Sequence, residues 1–276
     1  MSTRPVSVIA SWEYRSAVRT RWVLTMASVF GLLCVTVTLL AFRTVRELGL
    51  SGIGPASATL INLGVLLPSL MGLLLGAGSL VGAREHGMLA MICAQPLRRS
   101  QVATGAFLGL TASLWTTVGI GFGIAMLIIA GVATAGDVPA LVTLLGATLG
   151  VGTASVAIGV AVSSLVANRV QAVTIAVGLW IVLSLGVDLV LAALAPSVHL
   201  GPTGLLAAIL ANPLEAARIL ALLGTNFEGT ALGPFGAYMV TSFGRWGAVA
   251  LLVGDLLAWT LAPLAVARWA LPRKDL

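Results

Sequence analysis

The chain has 276 residues, of which 59% are hydrophobic and 9% charged, and its mean hydropathy is +1.08. A water-soluble domain cannot hide that much apolar surface, so the composition excludes one and points to a polytopic membrane protein. The net charge of +6 sits mostly at the ends of apolar runs, with no basic patch interleaved with aromatics; nucleic acid is therefore excluded as a partner and the lipid bilayer is expected.

Residues 6–21, "VSVIASWEYRSAVRTR", read as an amphipathic helix lying in the membrane interface. Val6, Ile9, Trp12 and Val18 can share its apolar face, and Arg15, Arg19 and Arg21 belong to its polar side. The first apolar run starts near Trp22, too late and too long for a cleavable signal peptide, so none is expected. Six apolar runs follow, at about 22–42, 59–82, 102–131, 140–166, 172–194 and 246–267. Each is expected to be a helix, because lipid leaves the backbone of an open strand unpaired. The expected fold class is therefore all-α, with six transmembrane helices in one domain spanning residues 1–276.

Basic residues orient the spans. With the N-terminus inside, Arg4, Arg15, Arg19, Arg21, Arg84, Arg98, Arg99, Arg169, Arg268, Arg273 and Lys274 fall on the inner side. Only Arg43, Arg46, Arg218 and Arg245 fall outside. Both termini are expected in the cytoplasm. Glycines at Gly72 and Gly76, Gly119 and Gly123, and Gly146 and Gly150 have the four-residue spacing that lets helix backbones approach, mostly within one subunit.

Between the second and third spans lies a charged stretch, "VGAREHGMLAMICAQPLRRSQVATG", residues 81–105. It is far longer than a connection needs. Met88, Met91 and Ile92 have helical apolar spacing. Arg84 and Glu85 lead in, and Arg98 and Arg99 lead out after Pro96. A short helix lying across the membrane surface at 84–100 is expected, of a kind suited to a groove on a soluble partner. Met88, Met91 and Cys93 are soft atoms close together, but anchoring is the expected role and no metal site is assigned. His86 and His199 are too far apart in the topology to share one. Cys34 and Cys93 suit neither a disulfide nor zinc.

Asp188 and Asp255 lie within the fifth and sixth runs without an intramembrane cation. Such an acid marks either a polar seam or a group packed neutral in the bundle. The stretch 195–245 is expected outside and is too long for a simple link. It reads as two short interfacial or re-entrant helices, with Asn212 capping the second, Pro213 in its first turn and Glu215 near its N-terminus. Leu214, Ala217, Leu220 and Ala221 can form its apolar face, and Glu215 and Arg218 can pair. Asn212, Pro213, Glu215 and Arg218 are the expected contacts for an external partner.

The segment "AREHGMLAMICAQPLRRSQVATGAFLG" resembles the Glu-x-Gly-(Thr/Met)-Leu…Pro-x-x-Arg…Gly pattern of ABC type-2 permeases, and "SWEYRSAVRTRWVL" resembles their amphipathic N-terminus. Two positions depart from the pattern: Ala83, where a second acid is common, and Ala106, where a lysine is. The resemblance implies that 84–100 is a coupling helix resting on an ATPase. Arg84, Glu85, Gly87, Met88, Leu89, Pro96 and Arg99 would be its coupling residues. It implies a homodimer in the bacterial inner membrane with two copies of an ABC ATPase subunit. The chain carries no Gly-x-x-x-x-Gly-Lys-Ser/Thr cradle and one lysine, Lys274, so ATP and magnesium are expected in that partner and no cofactor in this chain. No catalytic set is visible, and the chain is not expected to be an enzyme by itself.

Within the family, "NPLEAARIL" and "LPRKDL" resemble the permeases that serve copper-site maturation of nitrous oxide reductase. That implies a periplasmic NosD-like protein docked on 195–245. Two alternatives stay open, an exporter of a lipid or hydrophobic small molecule and a non-transport scaffold or intramembrane enzyme.

Overall fold

The computed structural model describes residues 4–48, 54–85, 87, 99–130, 138–194, 201–225 and 233–271. Among these there are nine helices: α1 Arg4–Arg19, α2 Arg21–Leu48, α3 Gly54–Glu85, α4 Arg99–Ala130, α5 Val138–Leu165, α6 Arg169–Leu194, α7 Pro202–Leu210, α8 Pro213–Thr225 and α9 Gly233–Ala270. Six hold stretches long and apolar enough to cross a membrane: Arg21–Leu40, Ala58–Glu85, Ser100–Ala125, Val138–Leu165, Arg169–Gly186 and Phe235–Ala270. These are the six expected spans. The chain is an all-helical, multi-pass membrane protein.

α3, α4 and α5 bury most of their apolar length inside the molecule, whereas α2, α6 and α9 turn most of theirs outward. The most extensive interface joins α3 to α5. Between helices in lipid there is little hydrophobic gain, so association depends on close van der Waals packing. Glycine supplies it here. A Cβ on Gly76 would stand 2.7 Å from the backbone nitrogen of Val160 and 2.9 Å from the carbonyl carbon of Gly159. One on Gly72 would stand 2.7 Å from the carbonyl oxygen of Gly152.

In the other two spaced pairs, three of the four glycines depart from the expectation of packing within the subunit. Gly119, Gly123 and Gly146 face open space, and Gly150 meets only the Leu256 side chain. Gly76→Leu should therefore abolish recovery of folded protein, and Gly119→Leu should leave the melting curve of the purified chain unchanged.

α1 also differs from expectation. It packs along the first turns of α4 rather than lying only on lipid. The groove is Gly105 and Gly109, where added Cβ atoms would stand 2.8 Å from Ile9 Cβ and 2.7 Å from Glu13 Cβ. The docked face is thus Ile9, Glu13 and Ala17, while Trp12 is exposed. Tyr14 and Thr116 hydroxyls meet at 3.3 Å and extend the contact.

Desolvation in this groove raises the Glu13 carboxyl from 4.5 to about 7. Seating α1 therefore favours the neutral acid. Its contribution is complete below the free value of 4.5, falls as pH rises and is lost above about 7. A spin label on exposed position 11 (Ser11→Cys) should gain mobility between pH 5 and 8, and Glu13→Gln should flatten that dependence.

At the other end of the bundle, α7 and α8 form a bent pair at 114°. The stretch before the last span thus holds two short helices, as expected. Asn212 ends the first helix and caps the second: its Oδ1 accepts from the Leu214 N–H at 3.0 Å. Its Nδ2 donates to the Leu183 carbonyl of α6 at 2.6 Å. Trp259 of α9 donates through Nε1 to the Leu210 carbonyl at 3.1 Å, satisfying an orphan acceptor in the last turn of α7. Leu214, Ala217, Leu220 and Ala221 are buried as one face. α9 breaks at Gly244, whose φ of 68° is open to glycine but costly for other residues. The break falls where the last span was expected to begin.

Candidate functional site

The charged stretch after α3 holds most of the expected coupling residues. Met88, Leu89 and Pro96 lie outside the described residues, as does the rest of the surface helix expected at 84–100 apart from its two ends and Gly87. Arg99 opens α4. Arg84, Glu85 and Gly87 are placed, and each has a defined task.

Gly87 stops α3. Its N–H donates to the Arg84 carbonyl at 2.9 Å, and its φ is 68°. This is a left-handed helix end, where a Cβ adds strain even though the space around it is open. Arg84 reaches across to the end of α5, and its Nη1 donates to the Val166 carbonyl at 3.0 Å. Glu85 reaches the start of α6, where its Oε1 accepts from the Arg169 N–H at 2.7 Å. Asn168 caps the same helix, accepting from the Gln171 N–H at 2.8 Å. A carboxylate at a helix N-terminus also meets the positive end of the helix dipole.

Arg84 and Glu85 therefore clasp the α5–α6 turn from both sides. The spacing Glu85-x-Gly87 combines a cap for one helix with a stop for another. The turn residues Val166, Asn168 and Arg169 were not singled out from sequence, although Asn168 just before an apolar run is a readable start signal.

At the opposite end, Glu215 and Arg218 pair at 2.6 Å, as their spacing suggested. Their setting differs from a displayed surface. Asn212 is 1% exposed and Glu215 7%, because α8 packs against α5, α9 and α3. Asn212 and Glu215 are buried within the bent pair. Pro213 is buried with them, and Arg218 keeps partial exposure.

Asp255 stands part-buried on α9, its Oδ2 without a hydrogen-bond partner. Asp188 lies in α6, and its side chain is outside the described residues. Among the described residues α6 and α9 share no extensive interface. Also among the described residues, no group of three His, Cys, Asp or Glu side chains is placed to hold a metal ion.

The sequence that folds into this six-span bundle matches a family pattern along almost its whole length. The pattern of the ABC-2 family transporter protein covers residues 7–276. The chain belongs to the ABC-2 transporter family. It is 32% identical over 265 residues to the probable ABC transporter permease protein NosY of Pseudomonas aeruginosa, covering 92% of this chain and 95% of that one. It is also 32% identical over 232 residues to the probable NosY permease of Stutzerimonas stutzeri, covering 82% and 84%. The chain is thus an ABC-2 permease subunit.

In this permease the clasp predicts a graded response. Glu85→Ala should destabilise the purified chain by about 1 kcal/mol, the usual loss for a helix cap. Glu85→Gln keeps an acceptor oxygen and should lose less, as read by thermal unfolding in detergent.

Proposed function

We propose that the chain is the membrane half of an ABC transporter, driven by a separate ATPase subunit and working as a homodimer with two ATPase copies. The observation that carries this reading furthest is the 32% identity over 95% of a NosY permease. The segment 84–100 would rest on the ATPase. Arg84 and Glu85 would pass its movement into the α5–α6 turn, because both side chains are bonded there. Glu85 would then act as a positioning residue inside the permease rather than as a contact shown to the ATPase. Both termini would face the cytoplasm of a bacterial inner membrane, and α7 and α8 would sit on the periplasmic side.

By the same likeness, the output would serve copper-site assembly of nitrous oxide reductase, through a periplasmic NosD-like protein docked on the outer end. With Asn212 and Glu215 inside the bundle, that docking would use the exposed start of α7, at Gly201, Pro202 and Thr203, and the partly exposed Arg218.

Two measurements test the reading together. In a cysteine-free background, an impermeant reagent added outside should label Thr203→Cys and spare Ser11→Cys. The wild type, taken from its native membrane in mild detergent, should bring with it both an ATPase and a periplasmic protein. Labelling at 11 alone would overturn the topology. An ATPase without any periplasmic protein would replace the assembly reading with export of a lipid or hydrophobic small molecule.

A further inference from the structure

A cavity of about 270 Å³ opens between α1, the start of α2, the end of α3 and the first residue of α6. It lies just under the usual range for small-molecule pockets, roughly 300–1,000 Å³, and suits a headgroup-sized ligand. Its space comes partly from missing side chains, since Gly78 and Gly82 on α3 both line it and Gly82 has nothing within 4 Å of a Cβ position.

One acid and one base line the cavity, Glu13 and Arg169. They form no ion pair with each other. The Arg169 guanidinium lies over Gly78, its Nη2 3.9 Å from where a Cβ would be. Two of the three hydroxyls in the wall, those of Thr20 and Ser79 but not of Ser16, have a fixed polarity. Thr20 Oγ1 already donates to the Ser16 carbonyl at 2.8 Å, and Ser79 Oγ to the Gly76 carbonyl at 2.7 Å. Only their lone pairs remain, so both act as acceptors. The cavity thus offers one guanidinium, one carboxyl, two hydroxyls that can only accept and the Ser16 hydroxyl. A ligand that completes it carries an anion next to a cation with N–H donors. Trp12 and Trp22 in the rim, and an amphipathic helix as one wall, set it at headgroup level.

We propose that this cavity binds a phosphoethanolamine headgroup of a bilayer lipid, with the phosphate on Arg169 and the primary ammonium on Glu13, Thr20 and Ser79. A choline headgroup has no N–H to give these acceptors, and a glycerol headgroup has no cation.

The test is native mass spectrometry of the full chain in a delipidating detergent, titrated with dihexanoyl phosphatidylethanolamine, phosphatidylcholine and phosphatidylglycerol, and separately with soluble O-phosphoethanolamine. The ethanolamine lipid should bind about tenfold tighter than the other two. Glu13→Gln should erase that preference while leaving the other two lipids unchanged, and Arg169→Gln should weaken all three. Equal affinity for the three lipids in the wild type would overturn the proposal, as would a preference that survives Glu13→Gln. O-phosphoethanolamine binding as tightly as the lipid would assign the cavity to a soluble ligand instead. Should a variant fail to fold, the ranking of the three lipids on the wild type decides alone.

Discussion

The backbone contact between α3 and α5 is the constraint on which the rest of the bundle depends. Gly72 and Gly76 on one helix meet Gly152 and Gly159 on the other, so closely that no side chain fits between them. Lipid tails are as apolar as leucine, and only such approach gives two spans a reason to prefer each other over lipid. With α3 and α5 fixed, α4 and α8 pack against the pair, and α2 and α6 are added at the edges. Trp180 shows how an edge helix is held: its Nε1 lies 3.2 Å from the Leu66 carbonyl and 3.1 Å from Ser69 Oγ, next to the helix-interior Pro68 of α3.

The same pair sets up the clasp at its charged end. Because α3 and α5 run together to Glu85 and Leu165, the two side chains that follow from α3 arrive opposite the α5–α6 turn. Arg84 uses Nη1 there, while its Nε and Nη2 are buried without a partner. A buried donor on a charged group is costly to leave unmade. Arg84 is therefore held by close geometry at its one bond, and a shift of α3 against α5 changes both clasp bonds together.

Much of this architecture was legible in the sequence. Run length gave the six spans, and Asn212-Pro213 gave the break and cap of the bent pair, because both signals are local. What was not legible has one cause, which is that the deciding partner lies far along the chain. Trp12 was grouped with Ile9 on the apolar face of α1, but the groove of Gly105 and Gly109 takes Ile9 and Glu13. Arg84 and Glu85 were expected at a partner surface, and the structure adds bonds to residues more than eighty positions away that no local signal announces. Asn212 and Glu215 looked external because they are polar. Their hydrogen bonds are met inside the bundle, so polarity did not require exposure.

The fastening of α6 has a mechanical consequence. Glu85 holds its first residue, and Asn212 holds the carbonyl of Leu183, fourteen residues on. At 1.5 Å per residue these anchor points are about 21 Å apart along a continuous helix. α6 is thus held at its first residue and again near its middle, where the second hold joins it to the elbow between α7 and α8. Trp259 holds the same elbow to α9, so the 114° corner is tied to two spans at once.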